Sequence, residues 1–278
     1  MHYRYILILF FLCFCGNLSA QDIPPDTLYA RGNAALESRN YTEAISYYGA
    51  YLNACPDSTY GYSALATAYL LNQNVDTAIY FFTVAIEKDP LYFRAYAGRG
   101  SAYLLKGITD KAEADYKAAL KIKPNDLSTM ISFASLRAAL NDINGAMNIF
   151  HEAESINPDY IDIYWNRGAL NLSLNRYYEA LDDVNKAIAL EKQNPKGYFF
   201  RGTIYKYMKR YDEALKDYEE ALRLNPLEGE TYVRRGILYM DLKDYKKAVA
   251  DMEAGYKLRP DLREQTKDFY DEAKLKAK

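Results

Sequence analysis

The chain has 278 residues, half of them hydrophobic and 26% charged, with a formal net charge of −2. That balance excludes a disordered chain, and near-neutral charge argues against a nucleic-acid binder, which needs a basic surface. Three Cys and two His leave little for disulfide, metal or histidine acid–base chemistry, whereas 29 Tyr are an excess that asks for a reason.

Residues 1–20 differ from the rest of the chain. His2 and Arg4 make a short basic start, residues 5–15 are an unbroken apolar run, and Gly16, Asn17, Ser19 and Ala20 break it. These are the three parts of a secretory signal peptide, cut near Ala20. The run is shorter than the ~20 apolar residues that cross a bilayer, so no stable membrane span is expected after cleavage. The expected location is outside the cytoplasm, periplasmic or secreted, in a bacterial envelope. Residues 21–24 form a short lead.

From residue 25 the chain repeats. Pro56, Pro90, Pro124 and Pro158 are spaced by 34, and Pro226 and Pro260 keep the register. The period divides the chain into seven repeats: 25–58, 59–92, 93–126, 127–160, 161–194, 195–228 and 229–262. Position 20 of the repeat is always Ala (Ala44, Ala78, Ala112, Ala146, Ala180, Ala214, Ala248) and position 8 always Gly or Ala. Large residues at positions 4, 11, 17 and 24 surround these small ones. Positions 4, 7, 8 and 11 lie on one helical face, and 20, 24 and 27 on a second. A turn near positions 15–17 separates two helices, and proline at 32 closes the second. One such hairpin cannot bury its face alone, so neighbours must stack. Sixteen of the 29 tyrosines occupy positions 4, 11, 17 and 24. Most of the tyrosine excess is therefore packing. Residues 263–278 lack the next Gly and Ala and read as a capping helix, with Phe269, Ala273 and Lys276 covering the last pair.

The pattern strongly resembles the tetratricopeptide repeat, most fully in residues 198–226. The resemblance implies an all-α fold: a right-handed α-solenoid of seven tandem helix–turn–helix repeats with a C-terminal capping helix. It also implies a concave groove that holds a peptide or a partner's helix. Some family members clamp the C-terminal carboxylates of heat-shock chaperones with Lys and Asn at set positions. Here Asn33 comes with Tyr29 and Ala64, and Asn166 with Ile131, so that clamp is absent.

Two sets of residues stand out between repeats. Position 7 is Arg and position 23 is Asp in four repeats: Arg99 with Asp115, Arg167 with Asp183, Arg201 with Asp217, and Arg235 with Asp251. Repeats 2 and 4 carry apolar residues at both positions, Leu65 with Phe81 and Phe133 with Ile149. An ion pair between the two helices of one repeat accounts for this covariation. The resemblance places positions 2, 5, 6, 9, 12 and 13 on the groove face, and there Tyr29, Asn33, Trp165, Phe199, Phe200, Thr203 and Tyr207 are the candidate partner contacts, with the aromatics as anchors.

Catalysis has no visible basis. Cys55 and His151 are three repeats apart, no His/Cys set has metal-ligand spacing, and position-8 glycines are used in helix packing rather than in a phosphate loop. The expectation is a non-enzymatic scaffold without cofactor or metal, binding a protein or peptide partner in the groove and serving envelope or secretion assembly. A self-associating structural protein and an envelope-polysaccharide binder are the alternatives, and the oligomeric state is open.

Overall fold

The computed structural model describes residues 23–277. The expected signal peptide lies outside the described residues. The chain divides into two compact bodies, Met1–Pro124 and Asn125–Lys278. All regular structure among the described residues is helical.

The N-terminal body holds three helical hairpins: Pro25–Glu37 (α1) with Tyr41–Ala54 (α2), Thr59–Leu71 (α3) with Val75–Lys88 (α4), and Phe93–Leu105 (α5) with Thr109–Ile122 (α6). The C-terminal body holds four: Leu127–Ala139 (α7) with Ile143–Ile156 (α8), Ile161–Ser173 (α9) with Tyr177–Leu190 (α10), Pro195–Tyr207 (α11) with Tyr211–Leu224 (α12), and Gly229–Asp241 (α13) with Tyr245–Leu258 (α14). Two short helices end the chain, Leu262–Gln265 (α15) and Lys267–Lys276 (α16).

Each hairpin is built from the same local choices. The first helix ends two residues before a left-handed residue at position 15, in all seven repeats. Only one of these is glycine, Gly107; the others are Arg39, Gln73, Asn141, Asn175, Lys209 and Lys243, with φ of 57–63°. The second helix starts on a side-chain cap in four repeats: Asn40, Asn74, Asp142 and Asp244 each accept from the backbone three residues on. All seven position-20 alanines are fully buried where the two helices of a hairpin meet. Position 8 is glycine in each of the three repeats whose position 24 is tyrosine. A Cβ on Gly32 would stand 2.5 Å from the Tyr48 ring, and one on Gly202 3.1 Å from Tyr218.

Position 27 is Ala or Gly in six repeats, and the exception, Tyr51, is accommodated in the next repeat. Gly61 leaves the space, since a Cβ there would lie 2.7 Å from the Tyr51 ring. The buried position-24 tyrosines also satisfy their hydroxyls. Tyr48 donates to Asn33 Oδ1 at 2.7 Å, Tyr116 shares a hydrogen bond with Ser101 at 3.0 Å, and Tyr218 with Thr203 at 3.2 Å. Burial pushes the Tyr48 and Tyr218 phenols up to about 12, so both stay neutral and able to donate.

The cap differs from its sequence reading. Phe269 is 46% exposed and Lys276 is at the surface, paired with Glu272, whereas Tyr270 is buried together with Leu262 and Ala273. Thr266, at φ −123°, breaks the segment into α15 and α16 and shifts which side chain faces inward. Tyr270 packs edge-on against Tyr256 and donates to Glu253 at 2.8 Å.

Candidate binding cleft

The four Arg–Asp pairs lie within salt-bridge distance inside their own repeats. Arg99 donates from Nε and Nη2 to Asp115 at 2.8 and 2.9 Å. Arg201 reaches Asp217 at 2.8 Å through both nitrogens, and Arg235 reaches Asp251 at 2.7 and 2.9 Å. Arg167 meets Asp183 at 2.8 and 3.0 Å, and Asn171 donates to the same carboxylate. Each guanidinium also lies over the position-4 tyrosine of its repeat, 5.6–5.8 Å from the ring centre. In the first repeat, where position 23 is Tyr47, Arg31 lies over that ring instead.

The structure adds a third arm. The remaining Nη1 reaches back to the second helix of the preceding repeat: Arg99 to Thr83 Oγ1 at 3.1 Å, Arg167 to Glu154 at 2.6 Å, and Arg201 to Asn185 Oδ1 at 2.8 Å. One planar guanidinium thus ties three helices, a use that Lys could not reproduce. Hydrogen bonds donated to Asp115 and Asp217 hold Arg99 and Arg201 above their ordinary pKa. Burial works against Arg167, but Asp183 and Glu154 outweigh it and raise that group too. Burial pushes the Asp183 carboxyl up against the pull of Arg167, whereas the Arg167 hydrogen bond holds Glu154 below its usual range. The apolar alternative occurs in the second repeat, where Leu65 is buried and Phe81 stacks on Tyr69 at 5.5 Å.

The candidate partner contacts divide between the two bodies. In the N-terminal body, Tyr29 is half-buried in a cluster with Tyr48, Tyr51 and Tyr60, at ring distances of 5.2–5.5 Å. The Tyr51 hydroxyl lies within hydrogen-bonding reach of both the Ser58 and the Tyr60 hydroxyls. Asn33, at the adjoining position 9, is the partner of the Tyr48 hydroxyl. Both residues therefore hold the fold of the first repeats together.

In the C-terminal body, Phe199, Phe200, Thr203 and Tyr207 line one open cleft of about 480 Å³. Its facing wall is Ala169, Leu172, Ser173, Asn175 and Tyr177, and Glu230 and Arg234 close the far side. Tyr177 and Tyr207 lie with parallel rings, 4° apart and 6.2 Å between centres. Tyr207 is 55% exposed. Phe199 and Phe200 are half-buried, one leaning on Tyr218 and the other on Trp165. A smaller recess of about 220 Å³ shares Phe199 and Glu230 and is otherwise walled by Pro195, Lys196, Glu228 and Thr231.

Trp165 is not a groove anchor. It is 8% exposed, in a core cluster with Ile188 and Ile204, and does not line the cleft. Position 5 leans toward the next repeat, where Gly197 leaves room: a Cβ there would meet Ile188 at 2.6 Å and the indole at 3.5 Å. Lys196 covers the other face, its ammonium 4.8 Å from the ring centre. Tyr29 leans the same way in the first repeat.

The sequence reading missed Glu230 and Arg234. They occupy positions 2 and 6 of the seventh repeat, both on the expected groove face, but neither is aromatic and nothing else in the pattern marks them. Ala169, Leu172 and Ser173 occupy groove positions of the fifth repeat and escape notice for the same reason. Asn175 comes from the turn between α9 and α10 and Tyr177 opens α10, both outside the groove positions. Among the described residues, no group of three His, Cys, Asp or Glu side chains could hold a metal ion. No helix there is long and apolar enough to cross a membrane.

Comparison with known proteins agrees with this architecture. Profiles described as tetratricopeptide repeat match residues 29–92, 93–126, 161–194, 195–226 and 229–262. Curated proteins give no match. Among solved structures, a tetratricopeptide repeat protein from Parabacteroides merdae is 18% identical with a TM-score of 0.66, over 90% of this chain and 98% of that one. The APC/C hetero-tetramer Cut9–Hcn1 is 16% identical with a TM-score of 0.70, over 89% of this chain and 49% of that one, so this chain spans about half of that length. Pseudomonas aeruginosa PilF is 17% identical with a TM-score of 0.63, over 78% of this chain and 96% of that one. At these identities the likeness is one of fold. With most of its length matched by the repeat's own profiles, the chain belongs to the tetratricopeptide repeat family.

Proposed function

We propose that this protein is an exported, non-enzymatic scaffold that docks a peptide segment or helix of a partner protein in the cleft of the C-terminal body. The observation that carries this reading is the open cleft walled by Phe199, Phe200, Tyr177 and Tyr207. Aromatic side chains held rigidly in a concavity, with a polar rim, are what binding hot spots are made of. The all-helical repeat supports the same reading, because its recurring residues are spent on packing and its exposed faces are left for contact. Export rests on the basic, apolar and small-residue pattern of residues 1–20, and a role in envelope or secretion assembly follows from that placement.

Two measurements test this. Residues 1–24 fused to a reporter that is active only outside the cytoplasm should give signal; an inactive fusion removes the export claim. Pull-down with the mature chain from native envelopes, read by mass spectrometry, should recover a partner that Phe199→Ala with Tyr207→Ala loses. Truncating an anchor of this kind costs about 2 kcal/mol, or roughly 30-fold in affinity. Equal recovery by the wild type and the double variant would refute the cleft as the docking site.

A further inference from the structure

The charges around the cleft are already answered from within. Arg234 pairs with Glu230 at 3.2 Å, and Lys206 with Asp241 at 3.2 Å. Lys196 rests over the Trp165 ring. The neutral polar groups are engaged as well. Ser173 donates to Leu170 O at 2.7 Å, Thr203 to Phe199 O at 2.9 Å, and Asn175 accepts from the Tyr177 hydroxyl at 2.9 Å. What stays uncommitted is aromatic surface and the Tyr207 hydroxyl, which has no hydrogen-bond partner among the described residues. In the adjoining recess, Thr231 is fully buried and its Oγ1 has no partner.

We infer, resting on the docking role proposed above, that the partner segment is uncharged and enters the cleft with one aromatic or large aliphatic side chain. That side chain sits against Phe199, Phe200 and Tyr207. A small polar residue next to it occupies the recess beside Thr231. A charged side chain in the cleft would have to lose water against aromatic walls and compete with the Arg234–Glu230 pair. Neither loss is compensated, because the two charged residues that line the cleft itself, Glu230 and Arg234, are paired with each other. Binding of this kind draws on buried apolar area rather than on steering, so it is nearly independent of salt.

The test is selection from a phage-displayed library of random peptides of about twelve residues, panned on the mature chain. Clones that also bind Tyr207→Ala are removed. Tyr207 is exposed, so that variant keeps its fold, and Phe199→Ala is checked by its melting curve before use. Enriched peptides should share an aromatic or large aliphatic residue flanked by uncharged residues. They should bind about 30-fold more weakly to Phe199→Ala. Their affinity should change less than about twofold between about 50 and 500 mM salt. Peptides that need Phe199 but carry acidic or basic residues and weaken tenfold or more in salt overturn this inference and leave the docking site standing. Peptides indifferent to Phe199→Ala, or no enrichment over the counter-selection, overturn the docking role itself.

Discussion

Replacing one partner of the Arg201–Asp217 pair should be far worse than replacing both. The pair is bidentate at 2.8 Å, with side-chain exposures of 23% for the guanidinium and 8% for the carboxylate. Arg201→Leu leaves the Asp217 carboxylate buried without its cation, and Asn185 without its donor. Breaking a buried pair from one side costs about 3–5 kcal/mol, and the partial exposure of Arg201 puts this case near the lower end, about 3 kcal/mol. Asp217→Phe alone should cost a similar amount, by stranding the guanidinium and crowding it. The double variant, Arg201→Leu with Asp217→Phe, copies the pair that the second repeat carries at Leu65 and Phe81. It should return to within about 1 kcal/mol of the wild type, because an apolar pair of similar volume replaces an ion pair at little net cost. The assay is urea unfolding of all four proteins, combined as a double-mutant cycle, with an expected coupling energy of more than about 2 kcal/mol. Since stacked repeats can unfold in stages, far-UV circular dichroism and tyrosine fluorescence should be compared before a single transition is fitted. Additive losses, with the double variant as unstable as the two singles summed, would refute the idea that these positions exchange as a unit.

Single positions carry further consequences. Gly32→Ala should destabilise by about 1–3 kcal/mol, since the new methyl meets the Tyr48 ring, whereas Gly49→Ala, with nothing within 4 Å, should be neutral or gain up to about 1 kcal/mol from helix propensity; equal effects in thermal melts would contradict the packing description. Lys209→Gly should stabilise by up to about 1 kcal/mol by relieving a left-handed residue at φ 60°, and a clear loss in the same melts would mean the lysine does something else there. Glu154 is held below its ordinary pKa by Arg167, so its contribution is present above the unfolded-state value and lost as pH falls through the folded-state one. Glu154→Gln should therefore flatten the loss of stability between about pH 5 and pH 3, and parallel pH profiles for the two proteins would disprove that assignment.

The repeat itself was legible because its physics is local and iterated. Alanine at position 20 has one explanation wherever it occurs, and seven occurrences leave no doubt. The Arg–Asp pairs were legible for a related reason: repeats 2 and 4 change both positions together. Their third arm was not, because Thr83, Glu154 and Asn185 differ in chemistry and Glu154 does not share the repeat position of the other two. Trp165 misled for a physical reason. Its position number places it on the groove side of α9, but a large ring there leans across to the next repeat, and Gly197 invites it in. A sequence pattern gives the direction of a side chain at its Cβ; where a ring ends depends on what stands opposite. The same limit hid the role of position 9. Its short polar residues looked like groove lining, yet Asn33, Ser101 and Thr203 answer buried tyrosine hydroxyls from the neighbouring helix.

The central claim, that the cleft between α9, α11 and α13 receives a partner, is tested most directly by site-specific photo-crosslinking in the native host. A photoreactive phenylalanine replaces Tyr207 in one strain and Tyr80, an exposed residue of the N-terminal body, in another. A discrete adduct of higher mass from position 207, absent from position 80 and abolished by Phe199→Ala, is the expected result. No adduct from position 207, or one that Phe199→Ala leaves unchanged, would contradict it.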